Sequence, residues 1–147
     1  MAALSANSRR KTRDEHLMTK GNFAAGTGGA IYEGSLVVIN ESTGRAIAAT
    51  AATARTFLGV SLENVTGNTG GTVKVNFAFG HQELMSAITG VTAAFTGTNA
   101  LVATDNTVDN TSVGTALVRV VVGEIMEIPS ANLAWVRIRH ASSKAIP

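Results

Sequence analysis

Alternation of apolar and polar positions is the clearest signal along this chain. From Thr72 to Phe79, Val73, Val75, Phe77 and Phe79 point one way while Lys74, Asn76 and Ala78 point the other. Period two with one wet face is the pattern of a half-buried strand in an antiparallel sheet. Ser35–Ile39 is a β-branched run, and Arg45–Ala49 answers it across the turn-forming stretch Asn40–Gly44. Phe57–Glu63 is a third strand, with Gly59 placed for a bulge. Ala100–Ala103 leads through the turn Thr104–Thr107 to Val108, and Ala116–Ile128 is a longer run broken at Gly123 and stopped by Pro129. In Ala134–Arg139, Val136 and Ile138 face inward and the arginines outward. His81–Thr89 is ambiguous, because Leu84, Met85 and Ile88 have helical spacing in a short segment; Thr50–Thr56 suits a helical turn or a loop, and Asn64–Gly71 a loop. Many short strands, no long amphipathic helix and no βαβ unit predict an all-β fold. A small antiparallel barrel or sandwich, or a more open tulip-like sheet, fits equally.

Gly21–Gly29 is too rich in glycine for a regular element and reads as a joint. It divides the chain into a flexible basic N-terminal arm with its joint (1–29) and a single β domain (30–147). Charge follows the same division. Residues 1–20 carry Arg9, Arg10, Lys11, Arg13 and Lys20 against Asp14 and Glu15, a net of +3, whereas the whole chain is only +2. A cationic arm with an apolar doublet, Leu17-Met18, is either a solvated terminus or a tether that orders against an acidic partner. Nucleic acid is a weaker partner for it: a few cations neutralise few phosphates, and no aromatic platform accompanies them. Arg137, Arg139, His140 and Lys144 form a second small basic patch, better read as the outer face of a strand and its tail.

Composition narrows the chemistry. The 147 residues are enough for one domain with a core of its own. Cysteine is absent, which removes disulfides, thiolate metal sites and cysteine nucleophiles. No apolar run approaches signal-peptide or membrane-spanning length, so a soluble protein made in a cytoplasm is expected. Gly26-Thr27-Gly28-Gly29 lacks the Gly-Lys-Ser/Thr ending of a phosphate loop, and Gly59-Val60-Ser61-Leu62-Glu63 lacks the second glycine of a nucleophile elbow. His16, His81 and His140 show no metal-ligand spacing, and His81 reads as an exposed loop residue. Asp105 and Asp109 resemble a fragment of a calcium loop without its glycine and terminal glutamate, so an Asx turn is the simpler reading. These observations predict no catalytic, metal-binding or cofactor-binding residue, and no enzyme.

One series of motifs does carry a resemblance. G-x-L-V-V-x-N-x-x-T-G-x-A (Gly34–Ala46) is followed by F-L-G-V-S-L-E-N-V-T-G-N (Phe57–Asn68), then N-A-L-V-A-T-D-N-T-V (Asn99–Val108) and V-G-T-A-L-V (Val113–Val118). Over roughly residues 30–140 the chain resembles the head decoration, or capsid cement, proteins of tailed bacteriophages. These include the small β family often mislabelled recombinase-like, although that label would demand a phosphate loop. The resemblance implies a virion protein on the outer surface of the capsid. It would bind the major capsid protein and copies of itself, as a trimer, and clamp neighbouring subunits against the pressure of packaged DNA. No small-molecule substrate, cofactor or membrane is implied. The arm residues Arg9, Arg10, Lys11, Arg13, Leu17 and Met18 are then the candidate shell contacts, and removal of residues 1–20 is expected to leave a folded body. Another virion component, of capsid or tail, and a nucleic-acid-binding barrel using the arm with Arg137 and Arg139 are the alternatives.

Overall fold

The computed structural model describes residues 8–27, 29–50, 55–87, 93–110, 119–139 and 145–146. Strands dominate them. In chain order these are β1 (Thr12–Arg13), β2 (Thr19–Ala24), β3 (Ala30–Ile31), β4 (Leu36–Asn40) and β5 (Arg45–Ala48). β6 (Arg55–Ser61), β7 (Val65–Thr66), β8 (Lys74–Phe79) and β9 (Gln82–Ala87) follow. β10 (Asn99–Val102), β11 (Thr107–Asn110), β12 (Arg119–Ser130), β13 (Leu133–Ile138) and β14 (Ala145–Ile146) complete the set. Only two short 3-10 turns, Glu15–Leu17 and Ala93–Phe95, interrupt them. The fold is all-β, as the alternation predicts. His81–Thr89 resolves as a strand over its described part, and β12 passes through Pro129, which falls between the Glu127–Trp135 and Ser130–Leu133 pairs. Residues 51–54 and 111–118, with the last of the four resemblance motifs, lie outside the described residues, as do His140 and Lys144.

The strands form the same ring twice. In the first half, β2 pairs with β8, β8 with β6, β6 with β4 and β4 with β5, all antiparallel. A parallel bridge from Ala25 to Ala46 brings the start of β5 back to the end of β2. In the second half, β9 pairs with β13, β13 with β12, β12 with β10 and β10 with β11, again antiparallel, and a parallel pairing of β11 with β9 closes a five-stranded barrel. The correspondence extends to register. Gly21, Asn22 and Phe23 face Phe77, Asn76 and Val75, just as Glu83, Leu84 and Met85 face Val136, Trp135 and Ala134. β6 carries one extra residue, Leu58, opposite the Val37–Val38 step; β12 carries Val122 opposite Ala100–Leu101. A glycine follows the bulged residue in each, Gly59 and Gly123. At Gly59 a Cβ would lie 2.5 Å from the Ala78 carbonyl oxygen, so the bulge excludes any side chain there. The approach to β4 is repeated too. Gly34 N–H donates to Ser61 and Ser35 N–H to Tyr32; Gly97 donates to Ile125 and Thr98 to Phe95.

Each ring has an apolar interior. Ala25, Val37, Ala46, Leu58, Val75 and Phe77 fill the first, and their counterparts Ala87, Ala100, Val108, Val122, Ala134 and Val136 lie inside the second. β4 and β6 are covered on both faces, which is why they read as continuous apolar runs and not as alternating ones. Their other face, with Leu36, Val38, Phe57 and Val60, joins the second cluster and welds the two rings together.

The N-terminal segment differs from the arm predicted by sequence. Its described residues pair with both rings: β1 lies antiparallel to β9, and β2, which includes the first part of the supposed glycine joint, is a member of the first ring. The boundary at residue 29 therefore marks no separate body for residues 8–27. A truncation of residues 1–20 removes β1 and the start of β2, so it strips edge pairing from both rings and is expected to destabilise the protein.

The repeated turn yields a test. Gly34 and Gly97 occupy equivalent positions with φ near +90°, at 92° and 89°. A Cβ at Gly97 meets nothing within 4 Å, whereas at Gly34 it collides with the Ser8 carbonyl. Gly97→Ala is expected to cost only the left-handed strain, about 1–3 kcal/mol. Gly34→Ala should cost measurably more in urea unfolding, because the segment carrying Ser8 must also move.

Candidate functional site

Polar groups collect where the rings meet the N-terminal segment. Arg10 reaches inward and its side chain is only 7% exposed. Its Nη1 donates to the Gly34 carbonyl at 2.6 Å and to Glu83 Oε1 at 3.0 Å, and its Nη2 donates to Asn106 Oδ1 at 3.1 Å. One guanidinium thus joins the turn before β4 to β9 and to the β10–β11 turn. The other oxygen of Glu83, Oε2, lies 2.7 Å from His81 Nε2. His81 is fully enclosed, and its Nδ1 finds no hydrogen-bond partner. Nearby, Ser35 Oγ donates to Asp105 Oδ2 at 3.0 Å, and Leu36 N–H donates to the Asp105 carbonyl at 2.7 Å. Arg10, Met18, Glu33, His81 and Glu83 line a cavity of about 40 Å³, room for one water-sized molecule.

A more exposed set continues along the same segment. Arg13 donates from Nε to Gln82 at 3.0 Å and from Nη1 to Glu127 at 2.9 Å, and its guanidinium carbon sits 4.2 Å from the centre of the Trp135 ring. Asp14 has a left-handed backbone with φ 58° and takes Gln82 Nε2 at 2.5 Å and Arg137 Nη2 at 3.2 Å on one carboxylate oxygen. The Gln82 hydrogen bond, then the hydrogen bond and charge of Arg137, with His16 adding to them, hold the Asp14 carboxyl below its ordinary range; partial burial opposes them.

The six candidate contact residues therefore divide. Arg10 is engaged inside the molecule, Arg13 is engaged at its surface by Gln82, Glu127 and Trp135, and Met18 is half-buried beside the cavity. Arg9 is 75% exposed with a long 3.4 Å contact to Glu33. Lys11 is exposed, with its carbonyl taking the Leu84 N–H at 3.0 Å. Leu17, 46% exposed, is the one large apolar side chain on the surface among the described residues. His81 departs from its expectation as an exposed loop residue, because β9 begins beside it and period two places His81, Glu83, Met85 and Ala87 on the buried face. That spacing was available in the sequence only to a reading of this segment as strand. Asp105 belongs to a hairpin turn as expected, although its carboxylate serves Ser35 of the other ring.

Chemically, the cluster is a charge-balanced clasp. Glu83 is flanked by a guanidinium and an imidazole, both oxygens are occupied, and no serine or threonine hydroxyl bonds His81 among the described residues. Among those residues no three His, Asp or Glu side chains converge to hold a metal ion. No protein-family model matches the sequence, and neither a curated protein nor a solved structure does.

Two outcomes test the clasp. Arg10→Ala leaves a buried carboxylate beside His81 and is expected to cost about 3 kcal/mol in urea unfolding, far more than Arg9→Ala on the surface. Asp14, whose folded value is depressed, contributes in full above the ordinary carboxylate range near pH 4 and loses that contribution as pH falls through the lower folded value. The single tryptophan reports this step. Its emission should shift in that acid window, and Asp14→Asn should flatten the shift.

Proposed function

We propose that the chain is a head decoration protein of a tailed bacteriophage. In this reading it has no enzymatic role and binds the outer surface of the assembled capsid. Copies of it, as trimers, clamp neighbouring major capsid subunits. The motif resemblance over residues 30–140 is its origin, and one structural observation carries it. The buried charges of the clasp are satisfied within the protein, while the exposed charges, among them Arg9, Lys11, Lys74 and Glu124, are scattered among short polar side chains and strand edges. Such a surface suits broad adhesion to a regular shell, where repetition at many sites turns modest contacts into firm retention.

The contact assignment changes with the structure. Arg10 and Arg13 hold the protein's own segment, so Arg9, Lys11 and Leu17 are the members of the original six proposed to meet the shell. The same engagement weighs against a nucleic-acid barrel, because Arg10, Arg13 and Arg137 would have to abandon protein partners to reach phosphates.

Heads of the phage carrying this gene, prepared without the chain, provide the experiment. Added protein is expected to sediment with them saturably and to raise their resistance to heat. Leu17→Asp should weaken retention several-fold with unfolding stability unchanged. Absence of co-sedimentation at any concentration would exclude the reading.

A further inference from the structure

The repeated ring exposes one place where the two halves differ. In the second ring the outer edge of β9 is covered along its length: β11 pairs at Ser86 and Ala87, and β1 pairs at Gln82 and Glu83. The Leu84 N–H, turned outward, donates to Lys11. In the first ring β2 is the counterpart of β9. Its outer edge meets β5 only through the Ala25–Ala46 bridge and the Gly26 N–H, and among the described residues no strand pairs with it from Thr19 to Ala24. Ala25 N–H donates to Val73 on the β8 side, so alternation turns the N–H groups of Lys20 and Asn22 to the outer edge. Asn22 is the register counterpart of Leu84, and both Lys20 and Asn22 are exposed.

We infer that the outer edge of β2 at Lys20–Asn22 is a docking slot for an extended strand of a partner protein, the counterpart of the slot that β1 fills on β9. The chemistry of the occupant follows from the substitutions between the two slots. The segment that carries β1 is basic: Arg10, just ahead of it, is received by Glu83 and Asn106, and Arg13 within it by Gln82. The corresponding positions in the first ring are Gly21, Gly44 and Lys20, which offer no acceptor side chain and add a cation. A second copy of β1 is therefore a poor occupant. A strand carrying carboxylates gains the backbone ladder together with Lys20, the β-addition mode in which main-chain bonds give affinity and side chains give selectivity. Gly21 must stay a glycine here, because a Cβ would sit 2.9 Å from the Phe77 ring. Lys20 is then the side chain on this edge that discriminates between occupants.

Titration of the full-length, nitrogen-15-labelled chain tests the slot, with the probes acetyl-Thr-Glu-Val-Glu-Val-amide and its analogue bearing lysine in place of glutamate. The expected result is a saturable shift of the Lys20 and Asn22 amides by the acidic peptide, about threefold weaker for the basic one. Lys20→Glu should invert the preference. Asn22→Pro, tolerated on an outward-facing edge position, removes one ladder donor and should abolish the peptide-induced shift of the Lys20 amide. Absence of saturable shifts at these amides with millimolar peptide would overturn the proposal. So would equal binding of both peptides that Lys20→Glu leaves unchanged. Shifts of the same amides that grow with protein concentration alone would assign the edge to a second copy of the chain and likewise overturn it.

Discussion

A guanidinium withdrawn from water must be surrounded by acceptors, and the layout of this molecule follows from how Arg10 meets that requirement. Its partners come from the turn before β4, from β9 and from the β10–β11 turn, so both rings must sit correctly before the charge is satisfied. A buried pair of this kind adds little net stability over a well-packed apolar contact, yet removing one partner is costly. Its value lies in selecting one arrangement. Apolar packing between Phe57, Val60 and the second ring would tolerate small slides of one ring over the other; the Arg10–Glu83 pair does not.

The rings show how few residues suffice to close a small β barrel. Five short strands curl tightly only if one of them bends, and both rings bend the same one, at Leu58-Gly59 and Val122-Gly123. The parallel step between the third strand and the first brings the ends of the curled sheet together. It is a single bridge in the first ring and a two-residue pairing in the second. The first ring is thus the looser of the two. Its interior is helped by the small β3–β7 pair, with Ile31 and Val65 covering its apolar filling.

Strand positions were legible in the sequence because alternation and turn residues are local signals. Lys74–Phe79 and Leu133–Ile138 follow their patterns nearly residue for residue, and the bulge at Gly59 was marked by the glycine itself. The duplication was not legible. The inward-facing counterparts share burial and apolar character but not size or identity, as Val37 answers Ala100 and Phe77 answers Val136, and on the outer face Asn76 answers Trp135. The clasp was hidden for another reason. Arg10 and Glu83 are far apart in sequence, and a run of basic residues before a glycine-rich stretch looks the same whether it is solvated or docked. Only the tertiary closure, which brings β9 beside residues 12–13, decides between them.

The register of β1 also orders events during synthesis. The first ring can close once β8 is made, using only contacts within its own span. Residues 10–14 have no such freedom, since Arg10 needs Asn106 and Arg13 needs Glu127 and Trp135. The first described residues to leave the ribosome are therefore among the last to find their places, and a half-made chain carries its leading cations uncovered. Long-range closure of this sort is slow compared with local hairpin formation. A nascent chain whose translation stalls before β13 is thus a folded ring trailing an undocked basic end, the species most open to proteases or to premature association.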